Sequence, residues 1–226
     1  MIEGPIQEGE HWVWKTGREG VEVRFTGRGP AGSREEILRR VAPEAPPISW
    51  PRQVHSARVL PAAAGECGEG DALFSDGAGL TLCVVTADCV PIVLAGPSGL
   101  AAVHAGWRGI AGRIVAATLE RISHDRQTLA GWTAWIGPAI GQCCYEVGDE
   151  VAEAVVAASH PGVAVTGPAG KPHLDLQEAV RHQLAEGGVG EVEAVRACTR
   201  CATERLYSYR REGKGAGRNL SLIWRG

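Results

Sequence analysis

With 226 residues, 44% of them hydrophobic and 22% charged, the chain has the length of one large domain or two small ones and the composition of a globular protein with a real core. A formal net charge of −3 gives no electrostatic reason to expect nucleic acid or an anionic membrane. No run approaches the roughly 20 apolar residues of a membrane span, and "MIEGPIQEGEHWVWK" lacks a basic segment followed by an apolar one, so a cytoplasmic protein is expected. Seven cysteines, an odd number, read there as thiols or metal ligands and not as a disulfide framework.

In chain order, "VEVRF" is a strand by its β-branched and aromatic content. "SREEILRRV" opens with Ser33 and carries Glu36 three residues on, a capping box for a short helix. "LTLCVVTA", "VPIVLA" and "LAAVHA" are strands, the last two joined by the turn "GPSG" at 96–99. "RIVAATLERIS" and "DEVAEAVVAAS" repeat apolar residues at three and four and are helices, with the strand "WTAWIG" between them. "DLQEAVRHQLAEGG" is a helix with a second capping box, Asp175 and Glu178, ending at Gly187; "EVEAV" and "LSLIW" are strands. Tight turns join some strands and helices join others, which predicts an α+β fold: a single layered domain over 1–226 with a mixed β-sheet flanked by helices.

The hairpin places chemistry at its ends. If Ala95 faces Leu100, Cys89 faces Gly106, and His104, two residues from that partner, projects to the same sheet face as Cys89. Such diagonal neighbours lie about 7–8 Å apart at the backbone, close enough for a thiolate and an imidazole to meet on one ion. The same positions suit a packed cysteine and a hydrogen-bonded strand-end histidine, and a one-residue slip would separate them. His55, in "WPRQVHSARV", follows a Trp-Pro turn and by itself reads as a loop histidine.

Taken together, "QVHS", "GDALFSD", "TADCVPIVL", "VHAGWRGI", "IGPAIGQCCYEVGDEV", "HLDL" and "YSYRREGKGAGRNLSLIW" resemble, in this order, the YfiH-type proteins. These were long described as polyphenol oxidases or laccases and are now assigned as purine nucleoside phosphorylases with an adenosine deaminase side activity. The resemblance implies one zinc per chain held by His55, Cys89 and His104, with a fourth tetrahedral position open as in catalytic sites. It also implies purine nucleosides and phosphate as partners, no nucleic acid or membrane, and a monomer or weak homodimer.

Phosphorolysis needs a cation for phosphate, and Arg108, four residues beyond His104, is the preferred candidate. Arg210, Arg211, Lys214 and Arg218 in "YSYRREGKGAGR" are further candidates, or simply a solvated face. Gly106 and Gly109 are expected to clear room for substrate. Deamination needs a carboxylate to pass a proton, and Asp71, Asp76 and Asp88 lie in motifs near the ligands; each also suits a turn cap or an acceptor that orients a ligand histidine. Asp71 and Gln53 are candidate substrate contacts. Cys198 and Cys201 have knuckle spacing and with Cys143 and Cys144 would make four sulfurs, although vicinal cysteines are awkward joint ligands and packing thiols are expected. Three other readings remain: a copper oxidase, poorly served by seven histidines, no His-X-His and Met1 as the sole methionine; a cysteine hydrolase using Cys89 with His104 or His55; and a non-catalytic binding module.

Overall fold

Runs rich in Val, Leu, Ile and Trp build the expected α+β arrangement of mixed sheet and flanking helices, divided among the described residues into two mixed sheets and a short antiparallel pair, Ala164–Thr166 with Pro172–Leu174. The computed structural model describes residues 4–77, 79–123 and 129–226. The seven-stranded sheet runs Ile6–Glu8, His11–Arg18, Val21–Thr26, Asn219–Arg225, Thr81–Thr86, Ile48–Arg52, Gly65–Glu69. The six-stranded sheet runs Glu191–Ala194, Thr133–Ile136, Val90–Gly96, Gly99–Ala105, Ala72–Ser75, Val59–Pro61.

Side-chain alternation explains the layering. In Thr81–Thr86, Leu82 and Val84 pack between the sheets while Cys83 and Val85 pack with Leu38 and Val41 of the helix Arg34–Val41. In Val90–Gly96, Val93 and Ala95 face the intersheet core, while Ile92 and Leu94 face helices Ile114–Ile122, Asp149–Ala157 and Leu176–Gly187. A strand buried on both faces has no polar face to display, which is why these segments read as continuous apolar runs. No helix among the described residues is long and apolar enough to cross a membrane.

The Ser33 capping box forms in both directions. At Asp175 only half of it forms: the Asp175 carboxylate accepts the Glu178 amide at 2.9 Å, but the Glu178 carboxylate turns outward to Arg181 at 2.9 and 3.0 Å. That helix ends at Gly187 as expected and is closed by Gly188, left-handed at φ 89°.

The hairpin has the expected register, from Gly99↔Gly96 to Ala105↔Val90, with Leu100 opposite Ala95. Its neighbours gather the rest of the site at one end of the six-stranded sheet. Val103 pairs with Ala72, so Asp71 adjoins His104, whose amide donates to the Asp71 carbonyl at 2.7 Å. Val59 pairs with the same Ala72, which brings the preceding loop and its His55 to that end.

Candidate metal centre

Three donor atoms, one each from His55, Cys89 and His104, lie within 4.8 Å of one another. The Cys89 Sγ to His55 Nε2 distance is 3.9 Å, and the two imidazoles meet edge to face with centroids 4.8 Å apart. Two ligands of one tetrahedral zinc stand roughly 3.5–4 Å apart, so drawing this triad onto an ion takes less than an ångström. Both loops that supply ligands carry left-handed non-glycine residues, His55 at φ 59° and Asp88 at φ 108°. Such backbone persists where surrounding bonds hold it.

At Asp88 the residue's own carboxylate makes those bonds, to the Thr199 hydroxyl and the Arg210 amide; at His55, Asp71 supplies them. Fully buried, its carboxylate accepts the backbone N–H groups of Val54, His55 and Ser56, the Ser56 hydroxyl, and His104 Nδ1 at 2.8 Å. It shapes the His55 loop and fixes the His104 tautomer, leaving Nε2 as the free donor. Burial alone would raise the Asp71 carboxyl, but hydrogen bonds from His104 and Ser56 bring it to about 2. Burial likewise opposes charge on His104, yet Asp71 and Cys89 lift it to about 9. The Cys89 thiol, which burial would push up, falls to about 6 under hydrogen bonds from His104 and His55. The metal-free cluster therefore pairs a Cys89 thiolate with a protonated His104, whose Nε2 proton leaves when an ion is bound there.

The donors open on a cavity of about 730 Å³, whose wall includes Gln53, Asp88, Tyr145, Tyr209, Arg210 and Arg218. Its size suits a small-molecule ligand. The model of the family described as multi-copper polyphenol oxidoreductase laccase matches residues 31–226. YfiH of Escherichia coli K12, a purine nucleoside phosphorylase, is 36% identical over 181 residues, covering 77% of this chain and 72% of its own. The chain belongs to the YfiH-type family. An adenosine deaminase from an unknown prokaryotic organism is 42% identical over 196 residues, covering 79% of this chain and 75% of its own. Among solved structures, YlmD of Geobacillus stearothermophilus aligns with a TM-score of 0.85 at 27% identity over 98% of both chains.

In this YfiH-type chain the remaining candidates separate by position. Asp71 lies behind His104 with both oxygens engaged, so burial removes it from contact with a substrate and leaves the orienting role. Asp88 accepts the Thr199 hydroxyl and the Arg210 amide, each at 2.6 Å, and anchors the cavity wall. Asp76 sits beyond the other end of the strand Ala72–Ser75, about 16 Å along it from Asp71, and takes no part. Gln53 lines the cavity, but its amide is pinned at both ends to the Val85 backbone at 2.8 Å. Arg211 is occupied by the carbonyls of Thr199 and Arg200 at 2.7 and 2.8 Å, and Lys214 is exposed away from the cavity lining. Arg108, in the helix Trp107–Ala111, is exposed and stacks on Trp107 at 4.4 Å, outside the cavity lining.

The glycines of "HAGWRG" act differently from expectation. A Cβ on Gly106 would lie 3.0 Å from Cys89 Sγ and 3.1 Å from His55 Cδ2, so this glycine makes room for the donors themselves. A Cβ on Gly109 would face Ile114 and the Ser56 carbonyl, a packing position with no access to substrate. Gly106→Ala should fold, because its φ of −76° suits alanine, but should weaken metal binding by about tenfold or more in a chelator competition. Sequence reading missed Tyr145, hidden in a motif noticed for its cysteines. Burial and the neighbouring Cys89 raise its phenol to about 12, so it enters the cavity wall as a protonated donor with Arg210 5.1 Å above its ring.

Proposed function

We propose that this chain is a zinc-dependent purine nucleoside phosphorylase that also deaminates adenosine. The observation that carries the reading is the convergence of His55, Cys89 and His104 on a nucleoside-sized cavity walled by Arg210 and Tyr145. The reaction class comes from the relatives, two of which are named for these two activities. Two imidazoles and a low-lying thiol fit zinc, with three protein donors as in catalytic zinc sites. A zinc held there supplies Lewis acidity toward an oxygen of the reacting partners.

The chain's own groups do the rest. Asp71 holds His104 in one tautomer and His55 in its left-handed conformation. Arg210, fixed through its amide on Asp88 and through its side chain on the Glu146 carbonyl at 3.0 Å, offers its guanidinium to phosphate. Arg108 adds a second cation near Tyr145, where it opposes the rise of that phenol. Tyr145 keeps its proton and donates to an acceptor on base or ribose. Against the copper reading, among the described residues His173 bonds the Gln142 carbonyl at 2.7 Å, and His160 and His182 stack on each other, outside the cavity lining.

A second reading has one observation in its favour. Asp71, His104 and Cys89 form a carboxylate–imidazole–thiol chain, the arrangement of a cysteine hydrolase. Metal dependence separates the two, because such a hydrolase keeps full activity after chelation.

The test is incubation with adenosine, inosine and methylthioadenosine, with and without phosphate, followed by product separation. Phosphate-dependent release of free base supports the proposal; unchanged nucleosides sink it. Arg210→Ala should slow phosphorolysis by about ten- to a hundredfold through loss of a charge-assisted contact, with metal retained, and Arg108→Ala, outside the cavity lining, should slow it less, through loss of a longer-range charge. Deamination uses water in place of phosphate and should suffer less. Equal loss of both activities would assign the arginine a packing role.

A further inference from the structure

The nucleoside chemistry makes no use of a second sulfur cluster. Cys143 and Cys144 lie on the loop after Gly141, and Cys198 and Cys201 on a turn that the Ala139↔Cys198 bridge holds beside it. The four Sγ atoms all fall within 4.8 Å of one another. Cys144 to Cys201 is 3.4 Å, Cys143 to Cys144 is 3.7 Å and Cys143 to Cys201 is 3.8 Å. Sulfurs about 2.3 Å from one tetrahedral zinc stand roughly 3.8 Å apart, the spacing seen here. A set of separate disulfides would pull sulfurs together in pairs, whereas these three separations are nearly even.

We infer that Cys143, Cys144, Cys198 and Cys201 form a closed, four-thiolate structural zinc site. The backbone around the sulfurs is arranged to receive them. The Gly141 amide donates to Cys198 Sγ at 3.2 Å and the Cys201 amide donates to the same sulfur. A Cβ on Gly141 would lie 3.2 Å from Cys198 Cβ and 3.3 Å from Cys143 Sγ, so glycine lets the loop close over the sulfurs. The Arg211 guanidinium, paired with Glu212, also donates to the Thr199 and Arg200 carbonyls at 2.7 and 2.8 Å and so pins the turn that carries Cys198 and Cys201. The vicinal pair, awkward as joint ligands in an extended strand, sits on a loop whose Cys144 amide folds back to the Gly141 carbonyl at 2.9 Å.

The position gives the ion a task. Cys144 precedes Tyr145, and Thr199, inside the Cys198–Cys201 turn, donates its hydroxyl to Asp88, which holds the Arg210 amide. A zinc here clamps the two segments that form one wall of the cavity. Four protein donors leave it no place for substrate, which separates it from the three-donor centre.

The experiment is zinc analysis of protein purified in reductant. The wild type should hold two zinc ions per chain. Cys201→Ser and Cys143→Ser should each lower the content to one, Cys89→Ala should lower it to one by emptying the other centre, and Cys89→Ala with Cys201→Ser should hold none. Should the serine variants fail to fold, cobalt-loaded Cys89→Ala gives the same answer: a strong sulfur-to-cobalt charge-transfer band supports the second site and its absence overturns it. Iron at the cluster, a mass showing disulfides in the reduced preparation, or one zinc in the wild type that Cys201→Ser leaves in place would each overturn the inference. None of these readouts depends on nucleoside turnover, so the site stands or falls apart from the proposed activity.

Discussion

Asp71→Ala should empty the three-donor centre and reduce nucleoside turnover to background. Five hydrogen bonds end on this one buried carboxylate, and they serve two ligands at once. Without it, the amides of Val54, His55 and Ser56 lose their acceptor, each such hydrogen bond contributing about 1 kcal/mol at this partly exposed loop, and His55 is free to leave its left-handed conformation. Disturbing the support of one ligand typically costs ten- to a hundredfold in metal affinity, so two ligands together should lose about a hundredfold at the least. Chelator competition reads the affinity, and thermal unfolding reads the loop. The metal-free wild type carries a matching pH signature. The folded carboxyl sits near 2 against an ordinary 3.8, so Asp71 stabilises the fold above pH 3.8 by about 2 kcal/mol, and that contribution disappears as pH falls through 2. Asp71→Asn should flatten this acid limb; an unchanged limb would mean the carboxylate is not held as described.

Cys89→Ala should have the other large effect. It removes one donor of three and the only sulfur in the centre, and a loss of about 3–5 kcal/mol from a site worth about 10–16 kcal/mol corresponds to two to four orders of magnitude in affinity. The fold should survive, because Cys89 precedes the strand Val90–Gly96 and its side chain leads toward the cavity, not the cores. Zinc stoichiometry, a melting curve and nucleoside turnover together check this. Turnover undiminished in a protein that has lost this zinc would detach the chemistry from the centre.

What the sequence made legible was local. The hairpin register follows from one turn and a two-residue period, and it alone aligned Cys89 with His104. The caps at Ser33 and Asp175 depend on residues three apart, and both amides are capped. Division of the strands into two sheets was not legible, since strands buried on both faces lose the alternation that says which core each face enters. Asp71 was visible as a carboxylate near a ligand motif, but only pairing of Val59, Ala72 and Val103 shows that it stands behind His104 while Asp76 lies at the far end of the strand. The four cysteines, more than 50 residues apart in two pairs, meet through the Ala139↔Cys198 bridge, a long-range contact that knuckle spacing hints at and cannot establish. Tyr145 carries no motif of its own and gains its role from burial.

The most direct test of the account follows one preparation through loss and return of its metal. Inosine and phosphate are supplied to the protein as purified, after thorough chelation, and after zinc is added back, and hypoxanthine and ribose 1-phosphate are measured each time. The account predicts both products in equal amounts at the start, essentially none after chelation, and recovery with zinc. Full activity in the chelated protein, or no phosphate-dependent release of base in any of the three states, would contradict it.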